Sequence, residues 1–418
     1  MNKRVKNAIK KIPGASYLGY KSLELRGGLR TLQNRHVPTV PKRILFSTSA
    51  GRYHDSCKAM AERIHEIAPD VEIVWAYRNQ NTISELPAHI TPVSYLSGAF
   101  YRELAACSVW VFDCVLPQGI YKRKDQFYIQ VWHGDKPMKR IVNDAVAVNK
   151  QYRKRTAGRK INEDRYCDLF MSGTKMFVDI WERSAGYHGK VLLTGIPRND
   201  VLLRKDADAS GIRSALGLEP SASVLLYAPT FRDHKVDYGV VDTDLDLNRV
   251  LDTLEHKTGK SWVCLKRSHG GDAMILNNTK DNRRIIDVTT YADMTDLIRI
   301  SDMLITDYSS CAGDFAYTGR PVLLYQDDFD RYASKDRGFV FDMDQSPFLR
   351  ARTMPELLKL IEDITPERAA ENDREILEFY QSTQTDHSTD DVVSLILDRM
   401  NNMKTKGAGR SQERPTKR

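Results

Sequence analysis

The sequence predicts an α/β protein in which two doubly wound domains, each built on a parallel sheet, face each other across a central cleft. Short hydrophobic runs alternate with segments of helical periodicity, which is typical of parallel strands covered by helices. This alternation starts again near residue 206, so the second half repeats the architecture of the first. The 418 residues are enough for two or three domains of ordinary size.

In the first half, five hydrophobic runs predict buried strands and one amphipathic segment predicts a helix. The strands are expected at 43–48, 71–75, 108–112, 127–132 and 169–172, and the helix at 57–67. Segments of helical length separate the later strands, so the strands are expected to pair in parallel.

The second half shows a similar alternation of three helices and five strands. The helices are expected at 208–217, 245–258 and 293–300, and the strands at 223–227, 262–266, 284–287, 303–306 and 321–325. These segments divide the chain into five regions. We expect a basic, partly amphipathic extension over 1–42, a first domain over 43–205, a second domain over 206–375, a terminal helix over 376–400 and a basic disordered tail over 401–418.

The composition is that of a folded protein, which we expect in the cytoplasm. Hydrophobic residues make up 41% and charged residues 28% of the chain, which excludes a wholly disordered, collagen-like or polytopic membrane protein. No apolar run reaches the roughly 18–20 residues that span a bilayer, and we recognise no secretory signal. Six cysteines occur without a CxxC pair, so we expect buried thiols rather than disulfides or a zinc ribbon.

Positive charge is concentrated at the two ends of the chain. Residues 1–43 hold eleven Lys and Arg against the single acid Glu24, residues 401–418 hold six against one, and the part between them is net negative. One face of a helix near the N-terminus would be apolar, formed by Val5, Ala8, Ile9 and Ile12. Such a helix suits an anionic membrane surface, and a solvated extension is the alternative. No zinc-finger or RRM signature supports nucleic-acid binding.

Polar residues suited to phosphate chemistry follow the predicted strands, where the ligands of doubly wound sheets bind. His133 and Gly134 come directly after the strand at 127–132, and a neutral imidazole there can take a proton from an alcohol. Two hydroxyl residues, Ser309 and Ser310, follow a later strand and begin a helix whose exposed N–H groups favour an anion. Each set on its own also fits an ordinary turn or helix cap.

Two further turns present a cation beside polar residues. Arg198 lies in a turn before Asp200, a residue suited to capping the helix that follows it. Thr230 and Arg232 follow the strand at 223–227, and this pair of side chains suits phosphate oxygens.

Another predicted strand ends in Lys266 and Arg267, with a second histidine, His269, shortly after it. The sequence contains no P-loop, GxGxxG fingerprint or GxSxG elbow. Acidic clusters at 242–246 and 327–330 lack the glycine and glutamate of an EF-hand, so we interpret them as solvated loops rather than metal sites.

Taken together, four of these turns resemble the CDP-glycerol glycerophosphotransferase family, the teichoic-acid primases and polymerases of bacterial envelopes. The motifs occur in order as WHGDKPMK, GIPRNDVL, LYAPTFRD and LITDYSSCAGDF, with DHSTDD as the closing segment. The resemblance covers about 43–400. It implies a GT-B fold, with two Rossmann-like domains around a cleft, and transfer of glycerol phosphate from CDP-glycerol to an acceptor hydroxyl with release of CMP.

The resemblance also implies roles for individual residues. His133 matches the WHG histidine, which is expected to deprotonate the acceptor hydroxyl. His269 lies in the region of the family's second important histidine, which is expected to stabilise the transferring phosphate or the leaving CMP. The expected donor-binding residues are Gly134, Arg198, Thr230, Arg232, Lys266, Arg267, Ser309, Ser310 and Asp314. Two positions depart from the family, since Asp135 stands where threonine is common and Gly270 where proline is frequent.

The implied partners are CDP-glycerol, a lipid-linked or polymeric phosphate-containing acceptor of teichoic acid or capsular polymer synthesis, and the anionic inner face of the cell membrane. No cofactor or metal is expected, because cations and a helix start can neutralise the phosphate charge. The basic segment 150–160 either guides a polyanionic acceptor or is a solvated loop. A CDP-ribitol or other nucleotide-activated donor and a non-catalytic membrane-associated scaffold are the alternatives, and the sequence does not distinguish a primase from a polymerase.

Overall fold

The computed structural model describes residues 14–204, 208–230, 232, 245–268 and 283–408. Its core consists of two parallel β-sheets, each with an apolar layer on both faces, which confirms the predicted fold class. All cysteines are free, as predicted, and only Cys114 is more than slightly exposed. Among the residues that the structure describes, no helix has both the length and the apolar character needed to cross a bilayer.

The first sheet has the strand order β3-β2-β1-β4-β5-β6-β7, and its neighbouring strands pair in parallel. Its strands are β1 (Val40–Ser47), β2 (Glu72–Tyr77), β3 (Ile90–Ser94), β4 (Cys107–Phe112), β5 (Phe127–Gln130), β6 (Leu169–Met171) and β7 (Val191–Leu192). The chain reverses its direction of travel through the sheet between β1 and β4, and ligands bind beyond the carboxyl ends of strands at such a point.

The second sheet follows the same plan, with the order β10-β9-β8-β11-β12-β13 and parallel pairing. Its strands are β8 (Ser223–Ala228), β9 (Trp262–Lys266), β10 (Ile285–Asp287), β11 (Met303–Thr306), β12 (Val322–Tyr325) and β13 (Leu349–Ala351). The corresponding reversal lies between β8 and β11.

Helices connect the strands and cover both sheets. In the first half they are α1 (Ala15–Gln33), α2 (Asp55–Ile67), α3 (Gly98–Ala106), α4 (Val142–Val148), α5 (Lys150–Thr156), α6 (Glu163–Tyr166), α7 (Lys175–Ala185) and α8 (Asp200–Leu203). In the second half they are α9 (Ser210–Ala215), α10 (Leu247–Thr258), α11 (Met294–Ile300), α12 (Cys311–Phe315), α13 (Phe329–Lys335), α14 (Met354–Asp363), α15 (Pro366–Phe379) and α16 (Ser388–Ala408). Short 3₁₀ turns lie at Gln80–Glu85, Pro197–Asn199, Ala316–Thr318 and Met343–Gln345.

Every predicted strand is present, with small differences at the ends. The sequence analysis missed β3, β7 and β13. β3 contains Pro92 and has only two buried residues, β7 has two residues in all, and β13 has an arginine at its centre. None of the three has the continuous apolar run that identified the other strands.

The prediction of one helix over 376–400 and a tail from residue 401 is wrong. The structure has two helices there, α15 and α16, and α16 continues to Ala408. The break falls near Gln381, whose left-handed backbone (φ 52°) does not continue an α-helix. The connecting segment binds the turn between the halves, where Ile196 donates its N–H to the side chain of Gln384 at 2.8 Å.

The last helix returns to the first domain and completes its core. The side chains that pack into the apolar layer of the first sheet are Val392, Val393, Ile396 and Met400. The carboxylate of Asp200 holds the start of this helix, since it accepts hydrogen bonds from the Thr389 N–H at 2.7 Å and from the Ser388 hydroxyl. Asp200 is itself the first residue of α8, so it caps the last helix rather than the one that follows it.

Part of the predicted N-terminal extension is a helix packed on the first domain. α1 contacts α3 and α5. Gly27 is buried against the segment between β4 and β5, and a Cβ there would lie 2.1 Å from the carbonyl oxygen of Gln118. The apolar face predicted from Val5 to Ile12 lies outside the described residues.

A substitution at Gly313 tests how tightly the two halves pack. A Cβ at Gly313 of α12 would lie 2.5 Å from Cδ and 2.7 Å from Cβ of Lys136, whose ammonium is fixed by two carboxylates. Gly313→Ala should therefore destabilise the protein by about 1–3 kcal/mol in denaturant unfolding. The control is Gly211→Ala in α9, where nothing lies within 4 Å, which should be neutral or stabilise by up to about 1 kcal/mol. Equal stabilities of the two variants would contradict this packing.

Candidate active site

His133 lies at the carboxyl end of β5, where the chain leaves the sheet in a strained turn. Trp132 has a left-handed backbone (φ 46°), and its ring stacks on the imidazole with 4.3 Å between centroids. The Nδ1 atom of His133 lies 2.9 Å from the carbonyl oxygen of Asp113. Because a carbonyl only accepts hydrogen bonds, Nδ1 carries the proton of the neutral ring, and Nε2 is left with its lone pair.

The environment of His133 favours the neutral imidazole. His133 keeps an exposed surface, while Trp132 packs on one face of its ring and the Asp113 carbonyl lies at Nδ1. This burial lowers the pKa of His133 to about 4, against a smaller opposing effect of the Asp113 carbonyl. The imidazole is therefore unprotonated near neutral pH and is able to accept a proton at Nε2.

The turn that carries His133 meets the serine pair of the second half. A Cβ at Gly134 would lie 2.6 Å from Ser310 Oγ and 3.5 Å from Nη2 of Arg198, so only glycine fits between them. Ser310 precedes α12 without a side-chain capping hydrogen bond, whereas the Ser309 hydroxyl accepts a long one from the Cys311 N–H at 3.4 Å. The structure thus brings the predicted base and the predicted donor turn to one cleft.

A buried network of charges joins the two halves beside this contact. Arg198 donates to Asp55 at 2.6 Å and to Asp314 at 2.8 Å. Lys136 lies 2.7 Å from Asp135 and 3.3 Å from Asp314. Burial opposes ionisation of Asp314, but the charges of Arg198 and Lys136 outweigh it and lower its pKa. The pKa shifts thus keep Asp55 and Asp314 ionised beside Arg198 and Lys136 in the interior, and Asp314 is the member that the second half contributes.

Arg198 and Asp314, both predicted to bind the donor, thus bind each other across the cleft. The side chain of Asn199 also donates to Asp314, at 2.9 Å. The described geometry assigns these residues to holding the halves together, and their contact with the donor stays a prediction.

Arg232 is committed to carboxylates in a similar way. Its side chain is nearly fully buried and pairs with Asp307 and Asp328, each at 2.8 Å. Asp307 also accepts the N–H of Thr230 at 2.9 Å. The hydroxyl of Thr230 is buried and has no hydrogen-bond partner among the residues that the structure describes. Arg232 therefore fixes the loop after β8, and its predicted phosphate contact is untested.

Lys266 ends β9 half-buried, and Arg267 follows it beside the cleft. One guanidinium nitrogen of Arg267, Nη2, makes long contacts to the carbonyl oxygens of Tyr291 (3.4 Å) and Ala292 (3.3 Å). Burial lowers the pKa of Arg267. His269, predicted as the second catalytic histidine, lies outside the described residues.

The sequence analysis missed the turn after β1. This turn carries His54 and Asp55, and the charged neighbours of His54 include Arg267 and Asp293 of the second half. Burial lowers the pKa of His54 despite the nearby carboxylates. The sequence does indicate this turn, because the polar segment SAGRYHD follows the predicted strand at 43–48. The other candidate turns were identified by the same position at the carboxyl end of a strand.

The comparisons with known proteins agree with this geometry. The sequence model of the family described as CDP-Glycerol:Poly(glycerophosphate) glycerophosphotransferase matches residues 29–398. A teichoic acid poly(glycerol phosphate) polymerase of Staphylococcus epidermidis is 33% identical over 74% of this chain and 44% of its own length. The chain thus spans less than half the length of that polymerase. A teichoic acid glycerol-phosphate transferase of Staphylococcus aureus is 28% identical over 81% of this chain and 85% of its own.

A solved structure of similar fold is that of the wall teichoic acid polymerase TagF. It matches with a TM-score of 0.77 and 26% identity, over 95% of this chain and 99% of the other. This likeness confirms the GT-B-like arrangement of two Rossmann-like domains around a cleft.

Asp113, whose carbonyl orients His133, makes the stability of the protein depend on pH. Burial, together with the charge of Asp55, raises the pKa of the Asp113 carboxyl to about 8. In the unfolded chain the group ionises near pH 4. Its contribution to stability is therefore complete below about pH 4 and is lost as the pH rises towards 8.

Asp113→Asn should remove this dependence, because an amide does not ionise. Between pH 5 and pH 8, the variant should lose less unfolding free energy than the wild type, by an amount on the order of a few kcal/mol. Denaturant unfolding at both values measures the difference, with Asp179→Asn on the exposed face of α7 as the control. An identical pH dependence of the Asp113 variant and the wild type would show that the carboxyl does not hold its proton.

Proposed function

This chain belongs to the CDP-glycerol:poly(glycerophosphate) glycerophosphotransferase family, and we propose that it transfers glycerol phosphate from CDP-glycerol to a hydroxyl of an envelope polymer or its lipid-linked precursor, releasing CMP. The observation that carries the proposal is the contact between Gly134 and Ser310. It brings a neutral histidine of one half and a pair of serine hydroxyls of the other to the same cleft, as transfer between two bound substrates requires.

In the proposed reaction, Nε2 of His133 takes the proton of the acceptor hydroxyl. The acceptor oxygen then bonds to the β-phosphorus of CDP-glycerol, and the bond from that phosphorus to the bridging oxygen breaks, so that CMP leaves with the electron pair. The Asp113 carbonyl supports this step, because it fixes the tautomer that leaves Nε2 unprotonated and stabilises the imidazolium that forms.

The negative charge of the transferring phosphate needs compensation. We assign this role to Lys266, Arg267 and the hydroxyls of Ser309 and Ser310, and the resemblance adds His269 for the leaving CMP. Phosphoryl transfer depends mainly on positioning and charge neutralisation, which these groups supply without a metal ion.

The acceptor enters, in this proposal, from the side of the basic segment 150–160. Four cations of α5 lie on the surface of the first half, whose cleft edge carries His133. A polyanionic chain of glycerol phosphate units is attracted to such a segment through long-range electrostatics.

We also propose that the protein contacts the anionic inner face of the cell membrane through α1. Leu18, Leu25 and Leu29 on this helix are more than half exposed. Arg26 and Arg30 lie on the same helix, and each cation near an anionic surface contributes about 1 kcal/mol. Apolar side chains beside cations are typical of helices that lie in a membrane interface.

Removal of the His133 imidazole tests the assignment of the base. His133→Ala should lower kcat/KM for CMP release by about 10²–10⁴-fold, since the proton acceptor is lost. His188→Ala is the control, because His188 is exposed on the first domain, paired with Glu182, and should leave the rate unchanged. Near-normal turnover by a folded His133 variant would refute the assignment.

A donor panel tests the reaction itself. CMP release in the presence of a lipid-linked glycerol phosphate acceptor should be fastest with CDP-glycerol and should persist in EDTA, because side-chain cations meet the phosphate. Faster release from CDP-ribitol would change the assigned donor, and loss in EDTA that magnesium reverses would establish a metal requirement. Membrane binding without CMP release from any donor would favour the scaffold alternative.

A further inference from the structure

An apolar groove runs between α1 and the segment that leads into β5. It encloses about 680 Å³. Leu25, Leu29 and Leu32 of α1 form one wall, and Leu104 and Trp110 belong to the opposite side. Next to the groove, α1 touches the domain at Gly27, which is buried against the backbone of Gln118 and Gly119.

The side chains that line this groove are unusually exposed for their type. Leu25 is 67%, Leu29 52% and Leu32 56% exposed. Within the described residues, most of the exposed large apolar side chains lie on α1, and Tyr121 of the groove is another. A continuous apolar surface of this kind in contact with water favours an apolar occupant.

The charged residues around the groove indicate which charge the polar end of that occupant carries. Four of the charged residues that line it are cations, and the fifth is Glu24. Three of the cations already have carboxylate partners: Lys21 pairs with Glu24, Lys122 with Asp168 and Arg123 with Asp125. Arg35, just beyond the helix end, is exposed and forms no ion pair with the residues that the structure describes. An apolar channel with a cationic border is complementary to a molecule that joins a hydrocarbon chain to an anionic head.

We propose that the groove takes one acyl chain of an anionic membrane phospholipid. The proposal rests on the membrane contact of α1 proposed above and specifies what that contact does. A lipid chain leaves the bilayer plane and packs on the exposed leucines of α1, close to the buried Trp110. The phosphate of the same lipid lies beside Arg35 at the border.

Two other occupants fit less well. The chain's own residues 1–13 carry five Lys and Arg and no acid, so they are repelled by the cationic border. The lipid of a lipid-linked acceptor would lie far from the reaction, because the groove is at the amino ends of the strands of the first sheet. Ala105 and Gln126 of the groove precede β4 and β5, whereas the cleft lies beyond the carboxyl ends of these strands.

A glycine in the groove provides a variant that fills it. A Cβ at Gly28 would have ordinary contacts, 3.6 Å to Tyr121 Cε2 and 3.9 Å to the Gly119 carbonyl oxygen, so a longer side chain fits and extends along the groove. Gly28→Leu therefore occupies the space of the acyl chain. Gly19→Leu is the matched control, because it makes the same change on the same helix where nothing lies within 4 Å.

The readout is the fluorescence of Trp110, the tryptophan that lines the groove. Vesicles of phosphatidylglycerol with brominated acyl chains should quench the emission of the full chain, and Trp110→Phe should remove most of this quenching. Gly28→Leu should lose most of the quenching while still sedimenting with the vesicles, and Gly19→Leu should behave as the wild type. Thermal melting of each variant identifies any that fail to fold, and the wild-type measurement does not depend on them.

The possible negative results distinguish the acyl-chain site from the membrane contact of α1. Sedimentation with vesicles without quenching of Trp110 would overturn the acyl-chain site and leave the membrane contact standing. The absence of sedimentation would refute the membrane contact itself. Equal quenching of the Gly28 and Gly19 variants, or equal quenching by brominated phosphatidylcholine vesicles, would also overturn the proposed site.

Discussion

The pairing of Arg198 with Asp55 and Asp314 is the constraint on which the cleft depends. A buried charge that loses its partner destabilises a protein by about 3–5 kcal/mol, so these groups are stable only when all of them meet. They come from three places, the turn after β1, the link between the halves and α12. Their meeting fixes the distance between the two sheets. Gly134 lies against Arg198 and Ser310, so the same contact sets the position of the neighbouring His133.

The constraint also explains the backbone strain around the site. Asp55 and Trp132 have left-handed backbones although neither is glycine. Such conformations cost about 1–3 kcal/mol each and persist where surrounding contacts hold them. The ion pair of Asp55 holds the first, and the packing of Trp132 against Trp181 and His133 holds the second. These two strained residues thus lie in turns that face the second half.

The sequence predicts the sheets well because their strands are continuous apolar runs, and it predicts the cleft because polar turns at strand ends meet at one edge. The sequence does not reveal which side chains contact each other when they are far apart in the chain. Asp135 and Lys136 stand inside a recognised motif, yet their burial depends on Asp314, which lies 178 positions beyond Lys136 in the chain. The same limit applies to α1, whose basic sequence suits a solvated extension equally well. The break before α16 depends on Gln384 binding the turn between the halves, which no local pattern indicates.

The directions of three arginine pKa shifts distinguish guanidinium groups that pair with carboxylates from one that has no such ion pair among the described residues. Burial alone would lower the pKa of each, but carboxylates raise those of Arg198 and Arg232, so their charges are already compensated. Arg267 differs, because its pKa is lowered and its contacts are long ones to carbonyl oxygens. A buried guanidinium without a full counter-charge is stabilised by an arriving anion. Arg267 is therefore the cation of the described cleft that best fits the proposed contact with the donor phosphate, whereas Arg198 and Arg232 hold the surrounding loops through their carboxylate pairs.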